Sequence, residues 1–237
     1  MVVSGGTSGI GAACAGLLAQ RGAKVWIFGS RQQTVDAALA ELPDLAGGSA
    51  CDVTDAEAVH TAVAAAADAL GGLDGAFVNA GIDGVGRGVL ELTADDLRRV
   101  LDVNAVGAFT VAREAAIAMS SGGAIVFNAS VNALRAERLF ADYNASKAAV
   151  LSLSQTMAIE LAARGIVVTA ICPGYIPTAM TRPYLEDPAT AAELLTQIPA
   201  GRFGTAEEVA ELVCFLLSSN AGYMAGAVVS IDGGRVV

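Results

Sequence analysis

Short apolar runs bounded by glycine, aspartate or asparagine alternate along this chain with longer helical patterns. Seven of these runs are candidate strands, at residues 1–3, 24–28, 48–51, 75–79, 123–129, 166–171 and 227–231. Repeated strand–helix–strand units fold around a parallel sheet, and continuously apolar runs such as GAIVF fit strands buried on both faces. The alternation therefore predicts an α/β architecture, a doubly wound seven-stranded parallel sheet with helices on both faces.

The length of 237 residues and a hydrophobic content of 54% allow one substantial core, and α/β sheets of this size commonly form one domain. Because no linker, repeat or break in composition divides the chain, residues 1–237 are predicted to be a single domain. The stretch from Pro173 to Pro199 is the one long irregular segment, and such excursions often form lids or binding loops. We expect a lid at about 175–200, with a plain connection as the alternative.

Charge and residue counts exclude several classes of function. The net charge of −10 leaves no basic field for the phosphates of a nucleic acid, so no nucleic-acid partner is expected. No segment runs about 18 residues without a polar break, and the first residues lack the charged region of a signal peptide, which predicts a cytoplasmic protein with no membrane partner. Four separated cysteines, interpreted as buried apolar residues, and a single histidine indicate no metal site and exclude most Ser/His mechanisms.

Three helix starts are predicted from a hydroxyl residue at the N-cap followed three positions later by an acid. The pairs are Thr54 with Glu57, Thr93 with Asp96 and Thr205 with Glu208. These signals concern structure and carry no functional prediction.

A glycine-rich loop, SGGTSGIG, follows the first candidate strand and leads into a helical pattern. Glycine lets the backbone turn tightly and approach a phosphate, and the N-terminus of the following helix offers free N–H groups to a pyrophosphate. The spacing differs from GxGxxG and lacks the Gly-Lys-Ser/Thr of a triphosphate loop. We therefore expect a dinucleotide to contact Gly5, Thr7, Ser8, Gly9, Ile10 and Gly11.

The residues after the second candidate strand bear on which dinucleotide is bound. An NAD-binding unit usually carries an acid about 20 residues past the glycines, whereas an arginine accommodates the 2′-phosphate of NADP. No acid lies between Ala12 and Val35, and the expected position is Gly29, followed by Ser30 and Arg31. This favours NADP as the cofactor; NAD stays possible if Arg31 is simply solvated.

Tyr143 and Lys147 lie four residues apart, on one face of a predicted helix. A neighbouring lysine and an oxidised nicotinamide both favour the phenolate and move the tyrosine pKa toward working pH. Ser130 ends a candidate strand, where α/β sheets present groups to a ligand, and its hydroxyl could donate to a substrate carbonyl oxygen. The alternatives are a surface pair and a local turn at the serine.

Together these elements resemble the short-chain dehydrogenase/reductase family. The loop is similar to its TGxxxGxG element with Ser4 in place of threonine, and Ser130 precedes the YxxxK pair by the family spacing of thirteen residues. IPAGRFGTAEEVA and SIDGG are also typical of the family, so the resemblance covers nearly all of the chain. It implies a Rossmann fold, with 3-oxoacyl-carrier-protein reductases and ketoreductases closest in appearance.

The resemblance also implies residue roles that the patterns alone do not supply. It makes Asn104 catalytic, through a water that relays protons to Lys147. It places Asp52 and Val53 beside the adenine ring. It places the nicotinamide near the segment that follows the sixth strand. The further cofactor contacts are Asn79, Ala80, Gly81, Tyr143, Lys147, Pro173, Gly174, Ile176 and Thr178.

The resulting hypothesis is an NAD(P)H-dependent oxidoreductase that interconverts a ketone and a secondary alcohol, with a small-molecule or carrier-attached carbonyl substrate. Open alternatives are an NAD-dependent sugar, polyol or steroid dehydrogenase and, from another class, a non-catalytic dinucleotide-sensing protein. The expected pocket residues are Asn132, Arg135, Arg138, Tyr175 and residues 180–195. A homotetramer or homodimer is expected through the helices near 93–119 and 143–163.

Overall fold

A computed structural model describes residues 1–120 and 122–237 and contains a sheet of seven parallel strands. The strands are Val2–Ser4 (β1), Trp26–Gly29 (β2), Gly47–Ala50 (β3), Gly75–Val78 (β4), Gly123–Asn128 (β5), Ile166–Pro173 (β6) and Val228–Ile231 (β7). Their order across the sheet is β3-β2-β1-β4-β5-β6-β7. The predicted doubly wound sheet is confirmed, and the carboxyl ends of β1 and β4 meet where the strand order reverses, the usual ligand crevice of such sheets.

Helices cover both faces of the sheet. They are Gly9–Gln20 (α1), Gln32–Glu41 (α2), Ala56–Leu70 (α3), Ala94–Leu101 (α4), Ala108–Ala118 (α5), Ala141–Leu161 (α6), Arg182–Leu185 (α7), Pro188–Thr196 (α8) and Ala206–Leu216 (α9). Instead of one regular helix near 93–119, α4 and α5 are joined by a π-helical segment, Asp102–Gly107. Within the described residues, no helix combines the length and the apolar character needed to cross a membrane.

Successive residues of each strand point to opposite faces of the sheet and pack in two separate hydrophobic cores. Val2 and Phe28 pack in the cluster that contains α3, α5 and α6 residues, whereas Val3 and Ile27 pack in the cluster with α1 and α9. Each large apolar side chain buried in this way contributes about 1.5–3 kcal/mol to folding. The double coverage explains why these strands read as continuously apolar, and it fixes the sheet as a rigid support for the loops at its carboxyl edge. The four cysteines lie in these cores or beside them, buried and free.

Two of the three predicted helix caps are confirmed, and one is wrong. Thr93 and Thr205 each form a complete capping box with the acid three residues on. At α3, however, Asp55 is the N-cap and its carboxylate accepts the N–H groups of the first turn, while Thr54 donates its hydroxyl to Asp52 at 2.8 Å. An aspartate one residue later already supplies a preferred capping oxygen, so the threonine hydroxyl has no helix N–H to accept.

The segment from Pro173 to Pro199 is more regular than its sequence suggests. It contains α7 and α8, both with a proline in the first turn, and Asp187 caps α8 by accepting the N–H of Thr190 at 2.8 Å. The expectation of a long irregular stretch is therefore wrong in this part. The prolines that indicated a loop act instead as helix starters, because proline fits the first helical turn.

Candidate active site

A cavity of about 430 Å³ opens at the carboxyl edge of the sheet. Most of the predicted cofactor contacts and three of the four predicted catalytic residues line this cavity. These are Gly5, Thr7, Ser8, Gly9, Ile10, Ser30, Asp52, Val53, Asn79, Ala80, Gly81, Tyr143, Lys147, Pro173, Gly174, Ile176 and Thr178, together with Ser130 itself. Gly11, Arg31 and Asn104 lie behind or beside the lining rather than on it.

The glycine loop between β1 and α1 is shaped for close backbone approach. Gly5 and Gly9 have φ values of +63° and +53°, in the left-handed region that favours glycine. A Cβ on Gly11 would lie 2.1 Å from the carbonyl oxygen of Gly5, so only glycine fits there. Since Ser8 precedes α1 in an extended conformation, the first N–H groups of α1 face the cavity edge and suit the pyrophosphate of a dinucleotide.

Hydrogen bonds tie the ends of β1, β4 and β5 into one frame beneath this loop. Ser4 Oγ accepts the N–H groups of Asn79 at 2.9 Å and Ala80 at 3.1 Å. The Asn79 side chain donates to the Gly5 carbonyl oxygen at 3.0 Å and accepts from Asn128 Nδ2 at 2.8 Å. Asn128 was missed in the sequence, although a polar residue that closes the apolar run of β5 is a usable signal.

The same asparagine positions the lysine. Lys147 is buried, its Nζ donates to the Asn128 carbonyl oxygen at 2.8 Å, and it stands 5.6 Å from the centre of the Tyr143 ring. Burial lowers the pKa of Lys147 to about 8. The predicted four-residue spacing thus places the ammonium beside the phenol.

Tyr143 is held as a neutral phenol in this structure. Burial raises its pKa above the ordinary value, the carboxylate of Asp83 adds to this effect, a hydrogen bond from Ser130 opposes it, and Glu137 raises the pKa slightly further. A positively charged nicotinamide near the phenol would favour the phenolate. Binding of such a cofactor is therefore expected to lower the pKa of Tyr143.

Ser130 combines the two alternatives that its sequence position left open. Its side chain begins a short 3-10 turn, accepting the Asn132 N–H at 3.1 Å, which is the local turn. Its hydroxyl also lies close enough to Tyr143 to lower the pKa of that phenol by hydrogen bonding. The Asn132 N–H occupies one lone pair of Oγ, so the hydroxyl keeps its proton as a donor beside Tyr143.

Asn104 lies in the π-helical segment, and its side chain holds the turn after β4. Its Oδ1 accepts the Ile82 N–H at 2.8 Å, and its Nδ2 donates to the Ile82 carbonyl oxygen at 2.9 Å and to Ser146 Oγ at 3.0 Å. π-Helical segments are frequent at functional sites because they re-aim one residue. The water relay implied for Asn104 stays a prediction.

Packing around the end of β2 excludes an acid at the position where NAD-binding units carry one. A Cβ on Gly29 would lie 2.5 Å from Thr7 Cγ2 and 3.0 Å from a methyl group of Val35. Ser30 and Arg31 are exposed and lead directly into the N-terminus of α2, with Arg31 at its N-cap. Exposed donors at a helix N-terminus suit an additional phosphate.

The substrate end of the cleft differs from the expectation in its details. Met180 lines the cavity, but Arg135 turns away and donates to the Arg235 carbonyl oxygen at 2.8 Å. Tyr175 donates its hydroxyl to Glu137, and Asn132 Nδ2 donates to the same carboxylate at 3.2 Å. Arg138 is exposed.

Tyr184 of α7 also bonds across the cleft, with its hydroxyl 2.5 Å from Asp83 Oδ2. Tyr184 falls within the predicted pocket segment 180–195, whereas sequence reasoning missed Asp83, Glu137 and Arg235. Their contacts join residues far apart in the chain, for example 101 positions for Tyr184 and Asp83, and no local motif marks them.

Comparisons with known proteins agree with this geometry. A family model described as enoyl-(acyl carrier protein) reductase matches residues 5–235. An inactive 2-(S)-hydroxypropyl-CoM dehydrogenase 2 of Xanthobacter autotrophicus is 40% identical over 219 residues, which cover 90% of this chain and 95% of the relative. The 3-oxoacyl-(acyl-carrier-protein) reductase of Vibrio cholerae is 33% identical, with 98% and 95% of the two chains covered. A crystal structure of an actinorhodin polyketide ketoreductase variant with NADPH superposes with a TM-score of 0.92 at 29% identity, over 99% of this chain and 96% of that one.

Proposed function

Because the chain belongs to the short-chain dehydrogenase/reductase family, we propose that it is an NADPH-dependent ketoreductase of a 3-oxoacyl, polyketide or related secondary-metabolite carbonyl. The family makes it an NAD(P)-dependent oxidoreductase that acts on an alcohol or a ketone. The observation that carries the proposal is the placement of Ser130, Tyr143 and Lys147 on the same cavity as the glycine loop. The named 3-oxoacyl and polyketide reductases support the substrate class.

The chain's own residues account for proton movement and charge stabilisation. A bound nicotinamide supplies hydride to the carbonyl carbon, or accepts it in the reverse direction. Tyr143 donates its proton to the carbonyl oxygen, and Ser130 donates a hydrogen bond to the same atom. Preorganised donors of this kind contribute about 3–4 kcal/mol to transition-state stabilisation. Lys147, with Asn104 behind it, returns a proton to Tyr143.

The preference for NADPH rests on the end of β2. Gly29 has no room for a carboxylate that would hold a ribose 2′-hydroxyl, and the same carboxylate would repel a 2′-phosphate. Ser30 and Arg31 offer donors there, and a guanidinium binds phosphate in a bidentate way. NAD is the alternative, because an exposed Arg31 also tolerates a free 2′-hydroxyl.

A second candidate, from another class, is a protein that binds the dinucleotide without turnover. One relative whose name describes it as inactive favours considering this candidate. Against it stands the complete set of Asn104, Ser130, Tyr143 and Lys147, since a sensor needs no proton donor. Sugar, polyol and steroid dehydrogenases would use the same four residues, so these classes differ from the proposal only in substrate.

Assembly into a homotetramer or homodimer is also part of the proposal. Apolar side chains are exposed on the π-helical segment, α5 and α6, with Val106 at 53%, Ile117 at 55% and Ile159 at 80% of full exposure. Exposed apolar faces of this kind mark protein contacts. A cytoplasmic location stays a prediction.

The deciding experiment is a fluorescence titration with NADPH and with NADH, followed by a screen of ketones with the tighter cofactor. We expect tighter binding of NADPH and turnover of a 3-oxoacyl thioester. Tighter binding of NADH with oxidation of sugar, polyol or steroid alcohols would replace the proposal by its alternative. Binding of a cofactor with no turnover of any ketone or alcohol would favour the non-catalytic candidate.

A further inference from the structure

Arg235 is a buried cation on the substrate side of the site and is only 3% exposed. Its Nη2 lies 3.5 Å from Glu137 Oε2 and 3.4 Å from the Tyr175 hydroxyl, and its guanidinium carbon stands 4.8 Å from the Tyr175 ring centre. Among the described residues, its Nε and Nη1 have no hydrogen-bond partner. Burying a guanidinium in this way is unfavourable, so the ion pair with Glu137 and the stacking on Tyr175 are what hold it there.

The carboxylate that Arg235 neutralises is the centre of the segment between β5 and α6. Glu137 accepts the hydroxyl of Tyr175 and Asn132 Nδ2, and its carbonyl oxygen accepts from Asn144 Nδ2 at 2.9 Å. The Asn132 N–H in turn donates to Ser130 Oγ. Asn144 directly follows Tyr143. Glu137 is thus connected to both ends of the segment that carries the two groups expected to meet the carbonyl oxygen.

A second contact fixes the same segment from its outer side. Arg135 Nη1 donates to the Arg235 carbonyl oxygen at 2.8 Å, so residue 235 is engaged through both its side chain and its backbone. The segment also contains Leu139, whose φ of +68° is left-handed and unfavourable for a branched side chain. A strained backbone keeps one conformation only where its surroundings hold it.

From these contacts we propose that Arg235 is a positioning residue of the reaction, which holds Glu137 and through it the segment from Ser130 to Tyr143. The inference rests on the proposed oxidoreductase function of that site. Arg235 does not touch the reacting atoms. It acts on Tyr143 by neutralising the carboxylate nearby and on Ser130 by fixing the turn that Asn132 closes.

The charge part of this role follows from the groups around the Tyr143 hydroxyl. Besides burial, the pKa of Tyr143 is raised by Asp83 and Glu137 and lowered by the Ser130 hydrogen bond. Asp83 after β4, Glu137 before α6 and Tyr184 on α7 interact with the phenol, and Lys147 stands beside its ring. Asp142 accepts the backbone N–H of Tyr143, and Cys172 on β6 lies beside Lys147. Of the carboxylates that raise this pKa, only Glu137 forms an ion pair with an arginine among residues 1–120 and 122–237. Loss of Arg235 therefore increases the net negative charge near the phenol.

The test compares Arg235→Gln, Glu137→Gln and the double variant, with Arg21→Gln as control because Arg21 forms an exposed ion pair with Glu211 on the opposite face. Protein labelled with ¹³C at tyrosine Cζ and saturated with NADP⁺ reports the Tyr143 pKa directly, and Tyr143→Phe assigns the resonance. We expect Arg235→Gln to raise the pKa of Tyr143 by about half a unit and Glu137→Gln to lower it by a similar amount. The double variant should return close to the unmodified protein, and Arg21→Gln should not shift it.

Kinetics supply the second readout. In the direction of alcohol oxidation the phenolate is the active form, so the rising limb of the pH profile should move to higher pH in Arg235→Gln and to lower pH in Glu137→Gln. We also expect kcat of Arg235→Gln to fall at least about fivefold while the Kd for NADPH stays within about twofold. Equal Tyr143 pKa values in all variants would overturn the inference, and so would the absence of a shift in Glu137→Gln if Arg235→Gln does not fold.

Failure of the proposed function gives a different result. The labelled protein would then show the opposite shifts in the two single variants while no ketone or alcohol is turned over. The effect of Arg235 on the Tyr143 pKa would stand in that case, and the ketoreductase assignment would not.

Discussion

The two ends of the cleft are built in different ways. At the cofactor end, backbone geometry dominates: Gly5, Gly9 and Gly11 lie within seven residues and leave room for a ligand by lacking side chains. At the substrate end, side chains from distant segments meet, as Tyr184 meets Asp83 and Arg235 meets Glu137. Under the proposed function, recognition of the dinucleotide depends on a short local motif, whereas recognition of the substrate depends on contacts that any of several segments can change.

The largest effect is expected at Tyr143, where the two ends meet. Tyr143→Phe removes the proposed proton donor but leaves the ring and the glycine loop in place, so turnover should fall by about 10²–10⁴-fold. The Kd for NADPH should stay within about twofold. Steady-state kinetics and a fluorescence titration on the same preparation measure both quantities. Turnover above about a tenth of the original rate would assign the proton to another group.

The difference between the two ends also explains how much could be predicted from the sequence. The sheet, the glycine loop and the Tyr143/Lys147 pair follow from periodicity and fixed spacing, because they depend on neighbours in the chain. Thr54 was wrongly assigned as a cap because a competing aspartate stood next to it. The partners of Glu137 could not be predicted, since Tyr175 and Arg235 lie 38 and about 100 positions away and reach it only through the fold.

Gly11→Ala is expected to break the cofactor end selectively. The new Cβ would lie 2.1 Å from the Gly5 carbonyl oxygen, so the loop must shift, at a cost of about 1–3 kcal/mol. We expect the Kd for NADPH to rise by roughly 10–100-fold. Gly88→Ala is the matched control, because its Cβ would meet nothing closer than a Leu139 methyl at 4.0 Å. Similar Kd values for the two variants would mean that the loop does not approach the dinucleotide closely.

Arg31→Ala separates the two cofactors and has a smaller effect. Arg31 is exposed, so its proposed contact with a 2′-phosphate would be partly screened and contribute about 1–1.5 kcal/mol. The Kd for NADPH should rise roughly tenfold, with the Kd for NADH within about twofold of its original value. Arg98→Ala, which removes an arginine from an exposed pair with Asp95, serves as the control. An equal rise in the Kd values for NADPH and NADH would show that Arg31 does not bind the 2′-phosphate.

The smallest effect is expected at α7 in the predicted lid, where Tyr184→Phe removes a single hydroxyl. That hydroxyl holds α7 to Asp83, and a neutral-to-charged hydrogen bond of this kind contributes about 1 kcal/mol or slightly more. Burial raises the pKa of Asp83 and the Tyr184 bond lowers it, so the variant should also raise that pKa further. We expect KM for the best ketone to rise by about two- to fivefold, with kcat and the Kd for NADPH nearly unchanged. The control is Tyr223→Phe, at a fully exposed tyrosine, which should change none of these quantities. An unchanged KM would show that α7 does not cover the bound substrate, while a changed Kd for NADPH would show that the lid belongs to the cofactor end as well.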